Sequence, residues 1–152
     1  MPKEEIRLGQ LVVRFLLDGP ASNNSIAMFE LDVPAGAKVP IAHSHDAYEE
    51  TLYGLEGVLT MTVDGRPTEL GPGDVLCIPR GVVHRFDNFH STTSKTLAVI
   101  TPGILSPDYF REIAAVARAA AAAGTPPNPA AIGEVMRRHG LTPAVSQPRA
   151  SM

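Results

Sequence analysis

The chain has no tryptophan, one cysteine and few aromatic residues of any kind, 5% of the total. A single cysteine, Cys77, excludes an intramolecular disulfide and fits a reducing compartment. The scarcity of aromatics argues against a carbohydrate-stacking platform. Excess charge of one sign is also missing: the formal net charge is -3 over 152 residues, and no Lys/Arg run stands out. The electrostatic footprint expected of a protein that binds nucleic acid or anionic lipid is therefore absent. No stretch approaches the ~20 apolar residues a membrane helix requires. The first ten residues mix Lys3, Glu4, Glu5 and Arg7 without an apolar core, so no signal peptide is expected. These absences predict a cytoplasmic protein with neither nucleic acid nor membrane as partner.

What is present is a globular balance, 44% hydrophobic and 19% charged, in a length that suits one domain with a real core. From Ile6 to about Pro102, short β-branched or apolar runs alternate with Gly, Pro, Asn and Asp, the punctuation of a β-sandwich or barrel. Strands are expected at 11–17, 25–33, 38–45, 50–55, 58–63, 68–70, 75–78, 83–88 and 96–101, with Asp64-Gly65 as a tight hairpin turn. After Pro102 the character changes. Ser106-Pro107 reads as the cap and first position of a helix running to Ala123, and a second helix is expected from the Asn128 cap to Gly140. This divides the chain into a barrel over 1–105, a helical extension over 106–140 and a flexible tail over 141–152.

The chemistry concentrates in a few residues. His43 and His45 stand two apart, so in a strand both imidazoles project from one face, with Cα atoms ~6.5–7 Å apart. Glu50 follows after a turn at Asp46-Ala47-Tyr48, where a carboxylate on the next strand can reach the same centre. Neutral imidazoles with one carboxylate suit a borderline divalent ion. Glu49 is the rival to Glu50, but strand alternation sends the two side chains to opposite faces.

Gly36 to Gly57 resembles the first cupin motif: His45, four residues, Glu50, six residues and Gly57 fit, and the one departure is six residues rather than five between Gly36 and His43. The second motif is similar throughout: Gly73, five residues, Pro79, one residue, Gly81, two residues, His84, three residues, Asn88. The chain thus resembles small bacterial single-domain cupins of the quercetinase-like type. The resemblance implies an all-β jelly-roll barrel followed by two short C-terminal helices. It also implies His43, His45, Glu50 and His84 as ligands of one divalent transition metal, which the donor types leave open among Fe, Mn, Ni, Cu and Zn.

Tyr48, Met61, Phe86 and Asn88 are candidates for the pocket lining. His90, in a polar stretch, and His139, at a helix end, have structural explanations. Cys77 reads as a small buried hydrophobe, and Arg80 and Arg85 as solvated. The function implied is a metal-dependent, dioxygenase-like enzyme acting on a small organic molecule, with Glu50 as a candidate base. The alternatives are a non-redox isomerase, cyclase or lyase, and a binding or sensing module without turnover. Strand edges that need covering predict a homodimer.

Overall fold

Two antiparallel sheets face each other in the computed structural model, which describes residues 4–144. Along the chain the strands are β1 Glu4–Leu8, β2 Leu11–Leu17, β3 Ala27–Val33, β4 His43–His45, β5 Glu49–Glu56, β6 Leu59–Val63, β7 Arg66–Leu70, β8 Val75–Ile78, β9 His84–Asp87 and β10 Ser94–Thr101. Helices α1 Pro107–Ala123 and α2 Pro129–Arg138 and the strand β11 Leu141–Pro143 follow. One sheet runs β1-β2-β3-β10-β5-β8, the other β11-β4-β9-β6-β7. The non-sequential neighbours fit the all-β jelly-roll barrel expected from the sequence, with the two helices after it.

Alternation builds the interior. β2, β3 and β10 bury every second residue, so Val13, Phe15, Phe29, Leu31, Ala98 and Ile100, joined by Leu52 and Ile78 of the same sheet, face Leu59 and Met61 across the sandwich. The hairpin between β6 and β7 turns at Asp64 (φ 50) and Gly65 (φ 76), both left-handed as a two-residue turn demands. Helix α1 is capped by the Ser106 hydroxyl, which accepts from the Asp108 N–H at 3.1 Å. Its Phe110 packs against Phe29 and Phe15, with ring centroids 5.0 and 5.7 Å apart, which fixes the helix to the six-stranded sheet.

Three expectations change. The run 38–45 is a strand only over His43–His45: residues 37–42 are irregular, and Pro40 among them has no N–H for a ladder. Cys77 is exposed rather than buried, because alternation in β8 turns Leu76 and Ile78 inward and Cys77 outward. A flexible tail over 141–152 does not hold at its start: Leu141–Pro143 is a strand paired with β4, and residues 145–152 lie outside the described residues. Among the described residues, no helix is long and apolar enough to cross a membrane.

Candidate metal centre

Strand β4 carries His43 and His45 on one face, and β9 opens with His84 directly opposite His43. The three rings cluster, with centroids 5.2 Å apart for His43 and His45, 4.8 Å for His43 and His84, and 4.5 Å for His45 and His84. One ring nitrogen from each lies within 4.8 Å of the others. Nitrogens each ~2.0–2.1 Å from a common ion stand at most ~4.2 Å apart, so small side-chain rotations close this group on one cation.

The turns that aim these strands come from the spaced glycines. Gly81 (φ 81) turns the chain into β9, and its N–H donates to the His45 carbonyl at 2.8 Å. Gly57 (φ 64) ends β5 where a Cβ would stand 2.4 Å from the Thr93 carbonyl oxygen, so only glycine fits. Asn88 ties the frame together. Its amide donates to the carbonyls of Val33 and Thr92 at 2.8 and 2.9 Å, its side-chain oxygen accepts from the His90 N–H, and its carbonyl accepts from the Gly36 N–H.

The imidazoles are set up as neutral donors. Nδ1 of His43 lies 2.9 Å from the Ile41 carbonyl and Nδ1 of His84 lies 3.0 Å from that of Val82; each can donate there, leaving the Nε2 lone pair free. Burial, and then repulsion from the neighbouring imidazoles, lowers His43 to about 4 and His45 to about 2; burial also lowers His84. Nδ1 of His45 is buried without a hydrogen-bond partner among the described residues, which a charged ring would not tolerate. Three neutral, converging, partly orphaned imidazoles fit a divalent cation.

Glu50 lines the same cavity from β5, next to Leu52 on the inward face. Its carboxylate does not come within that 4.8 Å span of all three histidines. Burial pushes its pKa up to about 7. Glu49 points the other way and forms an ion pair with Arg80, whose guanidinium beside it lowers its pKa.

The cavity measures about 70 Å³. Its wall is apolar, with Leu11, Phe29, Leu31, Leu59, Phe86 and Ile113 prominent, apart from the three histidines, Glu50 and Tyr109. Of the four residues expected in the lining, only Phe86 is there. Tyr48 is 1% exposed and stacks on His45 (4.5 Å, 21°), Met61 sits in the core and Asn88 is used in the bonds above. His90 meets Glu69 at 2.7 Å, and His139 pairs with Glu112, both away from the centre. Arg85 pairs with Asp87.

Sequence reasoning missed the contribution of the chain after β10: Leu105, Tyr109, Phe110, Ile113 and Leu141 all reach the cavity. The signal was available in part, since Tyr109 and Ile113 stand four apart on the apolar face of α1. Burial, and then the charge of Glu50, raises the Tyr109 phenol, so it stays protonated.

A model of the Cupin domain matches residues 29–100. Quercetin 2,3-dioxygenase of Bacillus subtilis is 38% identical over 80 residues, 53% of this chain and 23% of that protein. An uncharacterized protein of Methanocaldococcus jannaschii is 34% identical over 76 residues, 50% of this chain and 60% of that protein. The chain thus spans less than two thirds of the length of either relative. Among solved structures, a predicted oxalate decarboxylase of Thermotoga maritima superposes with a TM-score of 0.60 at 25% identity, over 67% of this chain and 93% of that one. A sugar phosphate isomerase of Silicibacter pomeroyi gives 0.54 at 25% identity, over 62% and 60%.

Proposed function

Because this chain belongs to the cupin superfamily, we propose that it holds one divalent transition metal on His43, His45, His84 and Glu50, and is a dioxygenase-like enzyme for a small, largely apolar organic molecule bearing an enol or hydroxyl oxygen. The observation that carries this is the cavity wall: outside the four candidate ligands its one polar side chain is Tyr109. No Lys or Arg is among the lining residues. Oxalate and a sugar phosphate, the compounds in the names of the two structural neighbours, are anionic, and beyond the ion itself they would find no cationic side chain on this wall. Quercetin is apolar enough, but about 70 Å³ falls below the ~300–1,000 Å³ of sites for drug-sized ligands, which favours a single-ring substrate. A larger groove of about 310 Å³ shares Leu8, Leu11, Pro40 and Ile113 with the cavity and is the natural approach.

When bound, the ion supplies Lewis acidity toward a substrate oxygen and, where redox-active, a route for electrons. The Nδ1–H groups of His43 and His84, held by backbone carbonyls, keep their rings oriented. Glu50, the one carboxylate in the lining, would accept the substrate's hydroxyl proton. Tyr109, protonated, donates a hydrogen bond from the opposite wall, and the apolar residues exclude water. The same Glu50 equally favours a second reading, non-redox isomerisation or lyase chemistry, in which the proton is returned to another atom. A homodimer and a cytoplasmic location belong to this proposal too. For the dimer, β8 ends its sheet, and exposed Val75 faces exposed Tyr53 across the pair.

The test is metal analysis of protein purified without chelators, with oxygen uptake measured on single-ring enols and catechols, and on flavonols. A redox metal with uptake on the smaller compounds is the expected result. Turnover without uptake moves the assignment to the second reading, and a metal-free protein that acquires no ion on soaking overturns both.

A further inference from the structure

We infer that the C-terminal strand β11 is a positioning element of the metal centre: it holds the two-histidine strand β4 in place, and without that pairing the cation site loosens. The inference rests on the metal reading above and adds a part of the chain outside both histidine motifs.

Strand β4 has only three residues, too few to be stable by itself. The six residues before it, 37–42, are irregular and hold it to nothing regular. On its barrel side it has one residue pair with β9, His43 with His84, and one bond from the Gly81 N–H to the His45 carbonyl. On its other side the register is complete: Leu141 opposes His45, Thr142 opposes Ser44 and Pro143 opposes His43. The ladder extends past both ends, with the Asp46 N–H donating to the Gly140 carbonyl at 2.8 Å and the Ala144 N–H to the Ala42 carbonyl at 2.9 Å.

In an antiparallel pair, bonded and non-bonded residue pairs alternate. Bonds at Gly140 and Ala144 therefore make Thr142 and Ser44 the bonded pair between them. Pro143 falls at a position where its missing N–H is not needed, so it leaves this ladder uninterrupted. The Thr142 hydroxyl adds a bond to the Asp46 carboxylate at 2.7 Å, just beyond His45. Leu141, 1% exposed, reaches through to the cavity wall and anchors the strand from inside. Helix α2 delivers β11 to this edge through the turn at Gly140 (φ 80).

The geometry makes the positions of His43 and His45 depend on residues nearly a hundred positions later. Losing β11 exposes an edge and frees a short strand to move; His84, seated in β9 against β6, stays where it is. Two donors then drift from the third.

The test uses the full chain and Co(II), whose visible absorption reports coordination geometry as well as affinity. Thr142→Pro removes the central ladder donor, and Thr142→Gly keeps the donor but loosens the strand. Increased hydrogen exchange at the Ser44 amide confirms that β4 has been released. The expected result is Co(II) affinity at least tenfold weaker in Thr142→Pro, about two- to fivefold weaker in Thr142→Gly, and an altered Co(II) spectrum, with the apo far-UV circular dichroism kept. If the proline variant does not fold, the glycine variant decides. Ser44 exchange that rises while affinity stays within twofold of wild type and the spectrum is unchanged overturns the inference and leaves the metal reading standing. A wild type that binds no Co(II) overturns the metal reading and this inference with it.

Discussion

The N–H of Gly81 donates to the carbonyl of His45 at 2.8 Å, so the turn that launches the third histidine is bonded to the strand that carries the second. The two histidine motifs thus touch at this bond and at the His43–His84 pair. Gly81 has φ 81, where an L-residue costs roughly 1–2 kcal/mol, yet a Cβ there meets nothing within 4 Å. Gly81→Ala should therefore fold, lose about that much stability in urea and bind metal more weakly. Gly57→Ala should cost more, because the same backbone strain is joined by a Cβ 2.4 Å from the Thr93 carbonyl. Urea midpoints for the two variants, measured side by side, check the order; equal losses would mean that the close approach at Gly57 is relieved elsewhere.

His84 is 3% exposed and faces both other rings, so its removal takes one donor from a three-nitrogen group. His84→Ala should retain the fold and lower metal affinity by a hundredfold or more, in line with the loss of at least ~3 kcal/mol of ligand interaction. Metal content after dialysis measures this, and full occupancy in the variant would remove His84 from the site.

Much of this was readable in advance because local rules act locally. Asp64-Gly65, Ser106-Pro107 and the period-two runs from Leu11 to Thr101 each announce their structure within a few residues. Tertiary context decided the rest. β1 carries only Ile6 and Leu8 as apolar signal among charged neighbours, and becomes a strand by pairing with β2. β11 is three residues whose partner lies far back in the chain. Tyr109 stands in the first turn of an ordinary helix, and only the docking of α1 by Phe110 brings it into the wall of the cavity that the histidines line.

The metal-free protein should have a stability maximum near pH 6.5. Burial lowers the three histidines from 6.5, His43 to about 4, so their contribution is complete above 6.5 and is lost as pH falls through the folded values. Glu50 runs the other way: raised from 4.5 to about 7, it costs nothing while protonated and destabilises progressively as pH rises from 4.5 to 7. Three imidazoles outweigh one carboxyl below 6.5, and Glu50 alone acts between 6.5 and 7. Glu50→Gln removes the second effect, so in chelator the variant should be more stable than wild type by about 1–3 kcal/mol at pH 8 and by much less at pH 5. Urea unfolding at the two pH values decides it: an equal difference at both would show that the carboxyl has an ordinary pKa.

Tyr109 separates packing from recognition. Its ring lies 5.0 Å from Phe110 and 5.6 Å from His139, contacts a phenylalanine would keep. Among the described residues its hydroxyl makes no hydrogen bond, so Tyr109→Phe should leave stability within about 0.5 kcal/mol of wild type. Metal content should also be unchanged, since the phenol is not among the donors. A ligand that fills the cavity should notice the loss. For metal-loaded protein titrated with 4-nitrocatechol, whose absorption shifts when its oxygens engage a metal, affinity should fall about tenfold, the worth of one hydrogen bond in a dry apolar site. Unchanged affinity would make Tyr109 a packing residue only, and the cavity would then discriminate by shape and by the metal alone.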